Sequence, residues 1–108
     1  MTTPLTLDTA RGSDGKSVLV VAGEIDLSNI EAFSLALASA ATEATGGDAA
    51  LLVDLRAVEY LDSAAISALV SHADHIEVVA HPILMPVLRI SGLSELTSVR
   101  AAPPAAGQ

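Results

Sequence analysis

Three aspartates stand where a predicted strand ends or a predicted helix begins. Asp26 follows the apolar run of residues 17–23, Asp54 lies at the end of the run AALLVDL, one residue before Leu55, and Asp62 precedes an apolar helical stripe. The carboxyl ends of parallel strands meet at one edge of a sheet, where ligands usually bind. Carboxylates gathered there could hold Mg²⁺ or accept a phosphoryl group. Capping of helices and turns is the commoner use of Asp at such positions.

Other reactive side chains lack the spacing that metal binding or nucleophilic catalysis requires. His72 and His75 lie one turn apart and His81 follows, but no carboxylate or thiol stands at a familiar ligand spacing from them. Ser63 has no Gly-x-Ser-x-Gly elbow around it. The chain also lacks cysteine and a glycine-rich phosphate loop. Neither a metal site nor a serine nucleophile is therefore predicted.

The composition excludes several classes of partner. At 108 residues the chain is long enough for one domain with a single core. Thirteen acidic and five basic residues give a net charge of −8, which repels nucleic-acid backbones and anionic lipid surfaces. No apolar run approaches the roughly 20 residues of a membrane span, and the first residues lack a signal-peptide pattern. We expect a cytoplasmic protein that binds neither nucleic acid directly nor a membrane.

Two strands and a helix are predicted in the first half of the chain. Residues 5–10 and 17–23 flank Asp14-Gly15, a strong turn signal, and so predict a β-hairpin. Ser28-Asn29-Ile30-Glu31 has the S-x-x-E form of a capping box, which predicts a helix beginning at Ser28 or Asn29. Gly46-Gly47-Asp48 is predicted to end that helix.

The second half alternates strand and helix patterns. Residues 49–55 form a continuously apolar run, which predicts a central strand covered on both faces, and residues 56–61 are predicted as a loop. A helix follows near Asp62, and a strand follows over residues 76–80. A third helix opens at Pro82, with a short strand near residues 97–99 after it. This order predicts an α/β sandwich in which helical crossovers join parallel strands.

Three stretches resemble the signature segments of the STAS domain, the fold of bacterial anti-sigma factor antagonists. They are GEIDLSN (23–29), LLVDLRAVEYLDSAAISAL (51–69) and VLRISGLSEL (87–96), in the order that the family has. The resemblance implies a STAS-type sandwich over residues 1–100, with a mixed four- to five-stranded sheet and helices packed mainly on one face. Residues 101–108 have nothing to bury and are predicted to be a disordered tail.

The resemblance implies a non-enzymatic switch protein without a cofactor, which binds an anti-sigma factor and so frees a sigma factor. In similar proteins the anti-sigma factor is often a serine kinase that phosphorylates the second hydroxyl of an Asp-Ser-Ser/Thr-Gly stretch. Here that stretch is Asp62-Ser63-Ala64-Ala65, so the family's phosphorylation position is Ala64, which has no hydroxyl. Ser63, one residue earlier, is a weaker candidate whose hydroxyl is expected to cap the helix. The expected partner-binding residues are Asp26, Leu27, Ser28, Asn29, Asp62, Ser63, Ala64 and Ser67.

Other functions stay open at this point. A STAS subunit of a lipid-transport ATPase or of a stress-signalling complex would share the same motifs. A phosphoacceptor receiver domain also ends a central strand with an aspartate, but it needs a lysine late in the sheet, and the only lysine here is Lys16 in the first hairpin. The sequence carries no signal for an oligomeric state.

Overall fold

The computed structural model describes residues 4–12, 16–44 and 50–103, and within them the chain forms five strands and four α-helices. The strands are β1 (Thr6–Arg11), β2 (Ser17–Ile25), β3 (Leu51–Leu61), β4 (Ile76–Ala80) and β5 (Val99–Ala101). The helices are α1 (Ile30–Ala44), α2 (Ser63–Ser71), α3 (Met85–Ile90) and α4 (Leu93–Leu96), with short 3-10 turns at Ala73–His75 and Pro82–Leu84.

All five strands belong to one mixed sheet in the order β1-β2-β3-β4-β5. β1 and β2 pair in antiparallel fashion, as the predicted hairpin requires, and each later neighbour pairs in parallel. The predicted central position of β3 is confirmed. The parallel pairs are joined by helical crossovers, so the predicted α/β sandwich with a mixed sheet is also confirmed.

One face of the sheet carries the hydrophobic core. Alternate strand residues on this face are buried: Leu19, Val21, Ile25, Leu51, Val53, Leu55, Val58, Leu61, Ile76, Val78 and Ala80. All four helices add side chains to the same cluster, among them Phe33, Leu37, Leu69, Leu88 and Leu93. The helices therefore lie mainly on this face. Burial of each large apolar side chain stabilises the fold by roughly 1.5–3 kcal/mol. On the opposite face of β3 Leu52 is half-buried and Asp54 is buried, but every helix of the described chain packs on the core face, so the expected covering of both faces is wrong.

β3 is longer than the sequence predicts. Residues 56–61, predicted as a loop, continue the strand, with Ala57 opposite Ala22 and Leu61 opposite Ile25. Two register shifts in the β2–β3 pairing place extra residues in this part of β3. Such bulges break the two-residue alternation by which a strand is recognised in a sequence. Asp54 consequently lies within β3 and not at its end.

The element boundaries otherwise lie close to those predicted. α1 begins at Ile30, and the 3-10 turn at Pro82 leads directly into α3. β5 ends at Ala101, one residue beyond the predicted domain boundary. The predicted turn at Asp14-Gly15, the helix stop at 46–48 and most of the predicted tail lie outside the described residues. No helix in the described ranges is long and apolar enough to cross a membrane.

Gly23 is required where the N-terminal segment approaches β2 closely. Its φ is +102°, and a Cβ placed there would lie 2.2 Å from the carbonyl oxygen of Pro4. Only glycine adopts such a backbone readily and leaves room for that oxygen. The second register shift of the β2–β3 pairing falls between Gly23 and Glu24. The glycine therefore lies at the bulge from which β2 leads into the loop at Asp26.

Candidate functional site

The loop between β2 and α1 is held by its own side chains. Asp26 Oδ1 accepts hydrogen bonds from the amide and the hydroxyl of Ser28, at 2.9 and 2.5 Å. Asn29 Oδ1 accepts from the Asp26 amide, and Asn29 Nδ2 donates to the carbonyl of Glu24, both at 2.9 Å. The predicted capping box does not form, because the Ser28 hydroxyl turns back to Asp26. These bonds leave Leu27 at the tip of the loop, 81% exposed.

The hydrogen bonds to Asp26 also affect its protonation. The bond from the Ser28 hydroxyl, followed by the bond from the Ser28 amide, holds the pKa of Asp26 below its ordinary value. Both donors favour the charged form of the carboxyl group. Asp26 therefore carries its negative charge at neutral pH, in an exposed loop.

Asp62 caps the N-terminus of α2. It has extended backbone angles, and its Oδ1 accepts a hydrogen bond from the Ala65 amide at 3.0 Å. The expectation that Ser63 is the cap is wrong, because Asp62 already occupies that position and the Ser63 hydroxyl makes no hydrogen bond within the described part of the chain. Ser63 is exposed, as is Ser67 one turn later, and Ala64 is half-buried.

A backbone hydrogen bond joins the loop to the start of α2. The Asp62 amide donates to the carbonyl of Ile25 at 3.1 Å, directly after the last paired residues of β2 and β3. The two segments therefore meet at the carboxyl edge of the sheet, as predicted. A shallow groove of about 440 Å³ lies between them, lined by Asp26, Leu27, Ser28, Tyr60, Asp62 and Ser63. Three other residues expected here, Asn29, Ala64 and Ser67, are outside its lining.

Tyr60 is the groove residue that the sequence analysis did not select. Its neighbour Leu61 points into the core, so strand alternation turns Tyr60 away from the core, and it is 49% exposed. It is one of only two aromatic residues in the chain. The signal that could have identified it is the continuation of β3 through residues 56–61, which the bulges conceal.

Asp54 lies away from the groove, because it pairs with Val20, whereas Leu61, next to Asp62, pairs with Ile25 five residues later, roughly 17 Å along β2. Its buried carboxylate accepts two hydrogen bonds from the Arg56 guanidinium, at 3.0 and 2.7 Å. Burial raises the pKa of Asp54, but the hydrogen bonds and charge of Arg56 outweigh burial, and the pKa falls below its ordinary value.

The predicted gathering of three carboxylates is therefore wrong. Asp54 is neither at a strand end nor open to a phosphoryl donor, so the receiver-domain interpretation is also wrong. In the ranges that the structure describes, no three His, Asp or Glu side chains are close enough together to hold a metal ion.

The groove lies in an acidic part of the molecule. Residues 23–44 and 57–71, which include both groove segments, contain no lysine or arginine. The acidic residues in and beside the two segments are Glu24, Asp26, Glu31, Glu59 and Asp62. Complementary charge governs the choice and orientation of partners at a protein interface. This surface is therefore suited to a partner that presents basic side chains.

A family model described as Mlab, STAS domain, matches residues 9–99. The chain belongs to the STAS domain family. This STAS domain is similar in structure to an anti-sigma factor antagonist from Mycobacterium paratuberculosis, with a TM-score of 0.78, 26% identity, and 98% of this chain and 92% of that chain covered. The STAS-type fold expected from the three sequence stretches is confirmed.

Two further structures are similar in fold. The anti-sigma factor antagonist SpoIIAA in its unphosphorylated form has a TM-score of 0.68 and 13% identity, with 92% of this chain and 90% of that chain covered. The Bacillus cell fate determinant SpoIIAA in its phosphorylated form has a TM-score of 0.63 and 14% identity, with coverages of 92% and 93%. At these identities the likeness concerns the fold alone. No curated protein sequence matches this STAS domain.

Proposed function

We propose that this STAS domain is a non-enzymatic anti-sigma factor antagonist, which binds an anti-sigma factor in the cytoplasm and so releases a sigma factor for transcription. The observation that carries the proposal is the groove in which the Ile25–Asp62 hydrogen bond joins two of the family's signature stretches. The similarity to an antagonist over 98% of the chain supports it. The proposed partner-binding residues are Asp26, Leu27, Ser28, Asn29, Asp62, Ser63, Ala64 and Ser67, to which we add Tyr60.

The groove has the parts that a protein interface needs. Leu27 and Tyr60 supply exposed apolar surface on its two sides, and aromatic and aliphatic anchors dominate the energy of many interfaces. The small side chains of Ser63 and Ala64 let a partner approach the first turn of α2 closely. Because the surrounding charge is acidic, the anti-sigma factor should bring Lys or Arg, and rising salt should slow association.

Affinity capture from native lysate, followed by titration of the captured partner, tests the proposal. We expect an anti-sigma factor to be captured, and addition of the STAS domain to release its sigma factor. Leu27→Ala should weaken binding at least about fivefold, because truncation of an interface anchor costs upward of about 1 kcal/mol. Ile90→Ala is the matched control, since Ile90 on α3 is 86% exposed and lies outside the groove.

A second pair of variants tests the approach to α2. Ser63→Arg should block partner binding, whereas Ser94→Arg, at an exposed serine of α4, should not. Circular dichroism melts should show that both variants remain folded. Unchanged binding by both Leu27→Ala and Ser63→Arg would exclude the groove as the partner site.

We also propose that serine phosphorylation at the family position does not switch this protein off. Phosphoryl transfer needs an oxygen nucleophile, and Ala64 has none. The exposed Ser63 hydroxyl is one residue away, but successive residues of a helix point about 100° apart. A kinase positioned over residue 64 would therefore find that hydroxyl displaced.

Incubation with ATP, Mg²⁺ and the captured anti-sigma factor, followed by intact-mass measurement, tests this regulation. If the anti-sigma factor is a serine kinase, the wild-type protein should gain no phosphoryl group. Ala64→Ser should gain one and then lose its affinity for the partner. Stoichiometric phosphate on Ser63 that abolishes binding would show that the switch has moved by one residue.

A STAS subunit of another machine, such as a lipid-transport ATPase or a stress-signalling complex, is the second candidate. It is favoured by the description of the matching family model, Mlab, STAS domain, which does not mention sigma factors. Capture of an ATPase or of a stress-signalling protein, with no anti-sigma factor present, would decide for this candidate.

A further inference from the structure

The sheet face opposite the helices carries an apolar strip. Val18, Val20 and Ala22 of β2 and Leu52 of β3 point to this face and are half-buried. Every helix of the described chain packs on the other side, so none covers the strip. We call this surface, formed by the outward-pointing residues of the five strands between the row of Val18 and the row of Ala22, the open face. The strip therefore offers a small, partly exposed apolar surface that no helix of the described chain covers.

One cross-strand row on the open face spans all five strands. The strand pairings place Asp8, Val20, Asp54, Val79 and Arg100 side by side in that order. Asp8 and Arg100, at the two ends, are exposed, and neither forms an ion pair with another described residue. The row therefore has an acid at one end, a base at the other and a valine inside each, with Val20 half-buried and Val79 only 7% exposed.

The centre of the row is already neutral. Asp54 forms an ion pair with Arg56 at 2.7 Å, and Arg56 reaches it from the first bulge of β3. A second ion pair, between Lys16 and Glu77 at 2.9 Å, adjoins Leu52 on the same face. The charges of these four residues are matched within the chain, so covering them would leave no net charge buried. Only the two ends of the row require a partner of opposite charge.

When one copy of the row is turned end for end, its acidic end lies against the basic end of the other copy. We propose that the open face binds a second copy of this chain. A two-fold axis along the strand direction through β3 turns the row end for end. Asp8 of each copy then faces Arg100 of the other, and Val20 faces Val79. A two-fold axis across the strands would instead place Asp8 against Asp8. The charges thus select an aligned sheet-on-sheet dimer, in which the same face of both copies is used.

The dimensions of the face predict a weak dimer. Five strands about 4.8 Å apart and rows of residues about 3.3 Å apart give a contact roughly 24 Å wide and 15 Å long. The contact then covers about 360 Å² of each copy, less than half of the roughly 800 Å² per partner in a standard interface, so association should be weak and transient. The groove lies beyond the row, at the carboxyl ends of β2 and β3, so dimer formation and partner binding should be separable.

Sedimentation velocity at low salt, from micromolar to millimolar protein, tests the proposal. The wild-type chain should dimerise reversibly. Asp8→Arg and Arg100→Asp should each weaken the dimer at least about tenfold, because each replaces two attractive contacts with two repulsive ones. The double variant Asp8→Arg/Arg100→Asp should recover the dimer, since each exchanged pair is again of opposite charge. Asp74→Arg, on the turn before β4, makes the same charge change outside the open face and should have no effect.

Circular dichroism should confirm that every variant is folded. A wild-type chain that stays monomeric at millimolar concentration would overturn the proposal. A double variant as weak as the single variants would exclude the axis along the strands. Equal weakening by Asp74→Arg and Asp8→Arg would mean that net charge, and not the cross-strand row, controls association.

Discussion

Replacing Gly23 by alanine tests whether the close approach of Pro4 to β2 restricts residue 23 to glycine. A Cβ there would lie 2.2 Å from the Pro4 carbonyl oxygen and 3.2 Å from Leu5 Cα, on a backbone with φ of +102°. The left-handed backbone costs alanine roughly 1–2 kcal/mol, and relief of the crowded contact costs roughly 1–3 kcal/mol. The total is a large part of the roughly 5–15 kcal/mol that stabilises a domain. The midpoint of thermal unfolding should fall by about 10 °C or more.

Gly92→Ala is the matched control for this experiment. Gly92 also has a positive φ, +87°, but nothing lies within 4 Å of a Cβ placed there. Gly92→Ala should therefore lower the free energy of unfolding in urea only by the cost of the left-handed backbone, roughly 1–2 kcal/mol. Removal of residues 1–4 from the Gly23→Ala chain should recover part of the additional loss, measured against the equally truncated parent. The reasoning would be refuted if Gly23→Ala and Gly92→Ala lost equal stability and removal of residues 1–4 restored none of it. Pro4 would then not be the reason that residue 23 must be glycine.

Two other side chains make testable contributions to stability. Asp62→Ala removes the cap of α2 and should lower the free energy of unfolding in urea by about 1 kcal/mol, whereas Ser63→Ala should change it by less than about 0.5 kcal/mol. The folded-state pKa of Asp54 is lowered from 3.8, so its ion pair with Arg56 contributes stability above that pH, and this contribution is lost as pH falls through the folded-state pKa. When unfolding is measured across the acid range, the free energy of unfolding of the wild type should exceed that of Asp54→Asn near neutral pH, and this difference should shrink below about pH 4. A difference that stays unchanged down to strong acid would contradict this assignment.

Regular periodicity predicts most of this fold, and the errors fall where the period changes. The apolar run of β2 and the apolar helical stripe of α2 are local patterns, so a sequence reveals them directly. Residues 56–61 contain extra strand residues, and their exposure pattern resembles that of a loop. Because residues 56–61 were predicted as a loop, Asp54 was placed at a strand end and Tyr60 was not selected as a site residue. The position of Asp62 was predictable because capping is a local interaction.

The two bulges of β3 decide which side chains reach the groove. From Val18 to Ile25, β2 pairs with the longer stretch of β3 from Leu52 to Leu61. A single extra residue would exchange the two faces of the strand beyond it, because side chains alternate with a period of two. The second extra residue exchanges them again, so that Leu61 returns to the core and Tyr60 stays in solvent. β3 thus reaches the end of β2 with its last residue buried, and Asp62 can both bond Ile25 and begin α2. The irregularity that hid this segment in the sequence is what brings the two halves of the groove together.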